Sequence, residues 1–255
     1  MKQAEIKRSN FIGLLIVLGV WILVSRLGFF NSYVLPTPEK VLNSFFKMLQ
    51  SGEIFVDIAI SFSRVLKGFL IAFTLAFTLG TLRILLPKAI GCYEYILHFF
   101  RNVPPLSMIP LLILWCGIGE TTKIVIIVLA SFFPMYLSIV KGFTSCDKQL
   151  LEVGEVFGYT SSEKFKHIIL PQAMGDILVG MRIGMGYSWR AIIGAEMVAA
   201  STGLGHMILF SQQMSRIDKV IVGILVIGFV GCITDKVFGI AIKKLFKGAW
   251  KDGWN

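Results

Sequence analysis

Apolar residues fall in long blocks along this chain, each close to the roughly 20 residues a helix needs to cross a hydrocarbon core. Six blocks qualify: about Phe11 to Phe29, Ser61 to Leu86, Ala89 to Trp115, Thr121 to Val140, Asp176 to Ala200 and Lys219 to Lys243. The third carries Pro104, Pro105 and Pro110, so a kink is expected within it. Between the first two blocks the period changes. Thr37 and Pro38 suit an N-cap and first helical position, Val41, Leu42, Phe45, Phe46 and Leu49 follow helical spacing, and Gly52 suits a stop. This predicts a short amphipathic helix lying on the membrane surface. The expected fold class is therefore all-α, an integral membrane protein of six transmembrane helices. It forms a single domain over residues 1–255 with its core at 58–243. No short repeat or low-complexity segment interrupts it.

Composition strengthens the membrane assignment. Of 255 residues, 55% are hydrophobic and only 16% charged, and the mean hydropathy is +0.76. Soluble domains average nearer 25% charged. The net charge of +10 then reads as loop asymmetry rather than a nucleic-acid surface. With both termini inside, Lys2, Lys7 and Arg8, then Arg83, Lys88 and Arg101, then Lys141, Lys148, Lys164 and Lys166, and finally Lys236, Lys243, Lys244, Lys247 and Lys251 gather on the cytoplasmic side. Lys40, Lys47, Lys123 and Arg216 fall on the other. No small-residue cleavage site follows the first apolar run, so a retained helix is expected. Cys92, Cys116, Cys146 and Cys232 form no C-x-x-C pair and stand away from histidine, which predicts apolar fillers and no metal site.

The longest hydrophilic stretch lies between the fourth and fifth blocks. Leu150 to Phe157 can form a short helix and Gly158 suits a left-handed residue past its end. Thr160 with Glu163 makes a capping box for a second helix. Pro171 cannot continue a helix interior and biases Leu170 toward an extended conformation. The expectation is two short cytoplasmic helices at an angle, clamped between two spans, an element able to transmit force.

This stretch resembles the EAA loop of bacterial ABC importer permeases: Glu152, Gly158 and Ile169-Leu170-Pro171 match, while Val153-Gly154 departs from the two alanines. Four further blocks match in order: Leu35-Pro-Thr-Pro38, Ser61-Phe-Ser-Arg-Val-Leu-Lys-Gly68, Arg101 to Leu111 with Gly117-Ile-Gly-Glu120, and Trp189-Arg190 with Ala195-Glu196-Met197. Together they resemble the nitrate/sulfonate/taurine branch. The resemblance implies a type I importer permease in the bacterial cytoplasmic membrane, paired with a second copy (a homodimer) in the lipid bilayer. Two cytoplasmic ATPase subunits would carry ATP and Mg2+, and an extracytoplasmic solute-binding protein would deliver the solute. This chain itself would hold no cofactor. The loop at 144–171 would couple to the ATPases through Glu152, Gly154, Glu155, Phe157, Gly158, Leu170 and Pro171. The solute would be small and polar, with an anion of the sulfonate, taurine or nitrate kind set against a thiamine precursor or flavin.

Ionisable groups within the fifth block are costly and face a bundle interior or a cavity. Arg182 sits near the cytoplasmic end and is expected to snorkel. Arg190 and Glu196 lie about 120° apart around a helix and cannot pair with each other. Each is set between a structural ion pair or boundary position and the translocation path, where Trp189, Pro104 and Pro105 would join them. Gly180, Gly184 and Ser188 make a small-residue stripe for close packing. No P-loop, nucleophile elbow or metalloprotease motif occurs, so no catalytic residue is expected and the energy source lies in another chain. Two rivals stand against this: an autonomous channel or secondary transporter, which usually shows internal repeats, and a membrane-embedded enzyme, which needs a cluster that His98, His167 and His206 do not form.

Overall fold

Glycines set the distances between the main helices. In α3 (Glu53–Leu85), Gly68 and Gly80 receive Ile127 and Ile139 of α6 (Glu120–Thr144). A β-carbon at either glycine would stand 2.6 and 2.9 Å from those isoleucines. Both pairs step by the same interval in the same direction, so α3 and α6 run parallel. α8 (Ser161–Ala199) runs back along α6: Gly142 meets Ala173 and Asp176, Gly180 meets Ser138, and Gly184 meets Met135. α10 (Ile217–Leu245) is antiparallel to α8, with Trp189 against Gly231 and Arg182 near Gly239. The stripe at Gly180, Gly184 and Ser188 is thus a packing face, and Ser188 is buried in it.

The computed structural model describes residues 2–27, 31, 33–86 and 93–245, and the described residues are helical without a strand. α1 (Lys2–Arg26) is tied to the rest by Trp21, which donates to the Pro36 carbonyl at 3.2 Å, and by an ion pair between Arg26 and Glu39. α2 (Pro38–Gln50) begins as expected, with the Thr37 hydroxyl accepting from the Lys40 N–H. It buries Val41, Ser44 and Met48, and Ser44 hydrogen-bonds Asp218 of α10. Lys88, Cys92, Lys247 and Lys251 lie outside the described residues.

Among the described residues four helices are long and apolar enough to cross a membrane: α3, α6, α8 and α10. The third expected block differs from a single span. It is a pair, α4 (Glu94–Arg101) and α5 (Ile109–Cys116), joined through a 3-10 turn at Pro105–Met108 and bent by 93°. Pro104 is extended (φ −62°, ψ 125°), as the proline after it favours, so the helix breaks there rather than kinks. Counting this pair as one span gives five, and the apolar stretch Leu15–Arg26 of α1 is a shorter helix. α9 (Leu204–Gln213) folds back between α8 and α10, with Met207 and Ile208 packed on Gly223.

The second correction concerns Pro171. Leu170 is helical (φ −60°, ψ −47°), not extended, and α8 continues unbroken through Pro171. A π-turn at Phe165–Ile169 makes this possible: the Leu170 N–H bonds to the Phe165 carbonyl, one residue further back than in an α-helix. After it, Pro171 stands in the first turn of the α-helical stretch that begins at Leu170, where its missing N–H and fixed φ are tolerated.

Candidate functional site

Two polar regions occupy opposite ends of α6, about 37 Å apart for a 25-residue helix. The first is an ionic cluster where α3 and α6 begin and α8 ends. Arg64 spends every N–H of its guanidinium there. Nε and Nη2 donate to the two Glu120 oxygens (2.8 and 2.6 Å), Nη1 to Glu196 Oε1 (2.7 Å) and the Thr202 carbonyl (2.8 Å), and Nη2 also to Thr202 Oγ1 (3.1 Å). Glu196 is fully buried, and its carboxylate also accepts from Ser61 Oγ (2.8 Å) and from the Gly205 N–H (3.0 Å). Lys123 donates to Glu120 at 2.6 Å, so two cations meet two anions. Lys123, expected on an outer loop, is buried in this cluster. Glu120 is its open side, with the other charged members enclosed.

The 201–204 loop is wrapped onto that cluster. The Leu204 N–H bonds to Ser61 Oγ (3.0 Å) and the Gly203 N–H to Asp57 (2.9 Å). Gly203 has φ +106°, and a β-carbon there would stand 2.4 Å from a Glu196 oxygen. At Gly205 a β-carbon would stand 2.3 Å from the Ile193 carbonyl, a backbone atom that cannot move aside. Gly205→Ala is therefore expected to destabilise the purified protein by about 1–3 kcal/mol, as overpacking does. A melting temperature within a degree of wild type would refute the close approach. Beside the loop, a cavity of about 520 Å3 opens between Asp57, His206, Phe210 and Arg216.

The second region is the loop at the other end. α7 (Lys148–Val156) starts at Asp147, which accepts from the Gln149 N–H, while the Asp147 N–H bonds to Gln172 of α8. It ends in a Schellman motif: Gly158 (φ +75°) donates to Glu155 and Tyr159 to the Gly154 carbonyl. Thr160 and Glu163 form the expected capping box. Both N–H and hydroxyl of Thr160 hold the Glu163 carboxyl below the ordinary carboxylate range, and Lys164, 2.7 Å from Glu155, does the same for that group. Gly154 explains the departure from alanine: it is buried, and a β-carbon would stand 2.8 Å from Ile168. Glu152 is exposed, Leu170 half-buried and Pro171 exposed. At the tip, Val156 is 87% and Phe157 76% exposed. Behind the tip, Phe165 packs on Phe143, Phe143 on Phe77, and Phe77 on Phe73, leading up α3.

Within α8 the expected path residues separate. Trp189 is buried against α10 and donates to the Ile227 carbonyl at 3.3 Å. Arg190 is exposed on the free face with Ile183, Tyr187 and Val198. The turn that carries Pro104 and Pro105 lies beside this helix, with Leu106 on Gly194. Arg182 does not snorkel: it grips Asp235 of α10 through both carboxylate oxygens at 2.8 and 2.7 Å. Arg64, Glu120 and Asp235 were not singled out in the sequence, although Arg64 and Glu120 lie inside the matching blocks. Among the described residues no group of His, Cys, Asp and Glu could hold a metal.

Comparison with known proteins agrees with this arrangement. Residues 87–247 match the family described as binding-protein-dependent transport system inner membrane component. The chain is 33% identical over 239 residues to a Bacillus subtilis (strain 168) protein named for aliphatic sulfonates transport, permease protein SsuC, covering 94% of this chain and 86% of that one. It is 31% identical to the taurine transport system permease protein TauC of Escherichia coli (strain K12), covering 87% and 82%. To the nitrate import permease protein NrtB of Synechocystis sp. it is 27% identical, covering 79% and 77%. The solved structure of the MetNI methionine ABC transporter in inward-facing conformations shares the fold, with a TM-score of 0.53 at 16% identity over 76% of this chain and 97% of that one. The chain belongs to the binding-protein-dependent transport system inner membrane components, as an ABC importer permease of the branch that holds sulfonate, taurine and nitrate permeases.

Proposed function

We propose that this chain carries a small polar anion into the cytoplasm by alternating access, driven by partner ATPase subunits that dock on α7. The observation that carries the reading is the tip of α7, where Val156 and Phe157 project from a loop that is otherwise pinned to α6 and α8. Exposed apolar side chains on a rigid mount suit a partner's groove, since little ordering entropy is lost on docking. The loop end then faces the cytoplasm. Lys141, Lys148, Lys164, Lys243 and Lys244 stand at that same end, as the positive-inside rule requires. Both chain termini belong to that side, and the cavity beside the 201–204 loop faces outward, toward a solute-binding protein. A second permease copy covers the free face of α8 and completes the path, with ATP and Mg2+ held by the ATPases. The chain does no chemistry of its own. Sulfonate, taurine and nitrate, the solutes in the relatives' names, share a compact oxyanion, which favours that solute class over a thiamine precursor or flavin.

Gly158→Val tests the coupling role. A β-carbon at Gly158 would touch nothing, so the whole effect is backbone strain at φ +75°, about 1–2 kcal/mol. That strain is expected to unwind the end of α7, reducing both ATPase co-purification and solute uptake into vesicles while the membrane-crossing helices stay folded. Wild-type levels of both would sink the assignment of 144–171 as a coupling loop.

A further inference from the structure

We infer that the cavity between α8 and α10 is an anion-binding station on the solute's route, with Arg190 as the residue that reads the oxyanion; the inference rests on the importer reading above. The cavity measures about 480 Å3, within the range of about 300–1,000 Å3 typical of small-molecule sites. Three of the arginines of α3 and α8 differ in how their donors are spent. Arg64 is saturated and Arg182 is paired with Asp235. Arg190 gives only Nε, to the Gly186 carbonyl at 3.2 Å, and its Cζ lies 5.0 Å from the Tyr187 ring centre. Nη1 and Nη2 have no acceptor among the described residues. They form the fork that matches a planar or tetrahedral oxyanion through two parallel hydrogen bonds.

Position argues that this fork meets something. Arg190 lies within a membrane-crossing helix, where an unpaired cation faces water or protein rather than lipid. Glycine lines the cavity around it: a β-carbon at Gly228 would meet nothing, and Gly186 leaves room for the guanidinium to fold back. The charge balance is cationic, because Arg182 already neutralises Asp235 while Lys236 adds a second positive group. Stacking on Tyr187 fixes the guanidinium plane without consuming a donor.

Cys232 is exposed and lines the same cavity, so it reports on the field there. The experiment uses the complex purified from native membranes and placed in lipid nanodiscs. Modification of Cys232 by 2-sulfonatoethyl methanethiosulfonate and by its trimethylammonium counterpart is followed by peptide mass spectrometry. Each rate is divided by that of free cysteine. The sulfonate reagent is expected to be favoured by roughly tenfold, the size of effect one nearby unit charge gives in a partly screened site. Arg190→Gln should bring the ratio to about one. Arg190→Lys, which keeps the charge and guards against a folding defect, should retain most of it. Taurine or nitrate at millimolar concentration should protect Cys232 in the wild type. Equal rates for the two reagents, an unchanged ratio in Arg190→Gln, or a Cys232 that reacts with neither would overturn the inference. The last would mean that the second copy seals the cavity instead of leaving it open to solute, and equal rates would fit an Arg190 paired with a carboxylate of that copy. ATPase subunits read in the same sample keep the two claims apart. Their presence with no bias leaves the importer reading intact, and bias without them leaves the anion station but removes the importer.

Discussion

Glu196→Ala is expected to lower the stability of the purified permease by about 3–5 kcal/mol, the cost of stranding one member of a buried ion pair. The partner left behind would be Arg64, which is almost fully enclosed and, among the described residues, has Glu120 as its other paired carboxylate. The loss goes beyond one charge pair. Glu196 also accepts from Ser61 and from the Gly205 N–H, so two further buried donors would be left unsatisfied. Arg64→Lys is expected to fail nearly as badly, because an ammonium cannot reach Glu120, Glu196 and Thr202 together. Replacing both, as Arg64→Met with Glu196→Leu, should cost less than the sum of the single changes, since no buried charge is then unpaired. Thermal unfolding in detergent, scored by loss of the monodisperse peak, measures these variants together with the single changes Arg64→Met and Glu196→Leu. Equal melting temperatures for wild type and Glu196→Ala would show that the cluster holds nothing.

The cluster bears on function through what it joins. Ser61 and Arg64 belong to α3, Glu120 and Lys123 to α6, Glu196 to α8, and Thr202 to the loop beyond. Glycine-lined packing continues that union down the same three helices to the coupling loop. A push on α7 would therefore reach the far end through a unit that turns as one body, which is what a rigid-body switch between inward- and outward-open states needs. The π-turn at Phe165–Ile169 keeps α8 continuous with the loop, so no hinge intervenes at Pro171.

Much of this was legible because local rules decide it. The capping box at Thr160 and Glu163, the left-handed Gly158 and the Thr37 cap depend on neighbours within a turn, and all three stand as expected. The small-residue stripe also reads from spacing alone. What failed depended on distant partners. Arg182 finds Asp235, 53 residues on, and no pattern within α8 could announce it. That Glu196 needs a partner off its own helix follows from the sequence, but which partner does not, because Arg64 lies 132 residues away. Pro171 misled for another reason: the rule that proline ends a helix concerns a helix interior, and a π-turn just before it puts Pro171 in the first turn of a new α-helical stretch. Arg190 was correctly kept from Glu196 by helix geometry, but its free fork could be seen only once every other donor was accounted for.

Replacing both Val156 and Phe157 by aspartate is expected to abolish ATPase binding while leaving the melting temperature within about a degree of wild type. Surface changes usually stay within ±0.5 kcal/mol; Phe157 is the C-cap of α7 but caps through its backbone N–H, and neither side chain supports the fold, since both are largely exposed. An apolar anchor seated in a partner's pocket is typically worth 2 kcal/mol or more, so even Phe157→Ala should weaken docking about 30-fold. Aspartate adds the cost of desolvating a charge. This pair of outcomes separates the tip from its mount. Gly158→Val disturbs the backbone of α7 and removes docking by deforming the loop, whereas the tip variant keeps the Schellman motif, the Lys164–Glu155 pair and the capping box. Co-purification with ATPase subunits and vesicle uptake, set beside thermal unfolding, read both properties. A tip variant that still binds ATPase would place the docking surface elsewhere on the loop, with exposed Glu152 and Val153 on the outer side of α7 the next candidates.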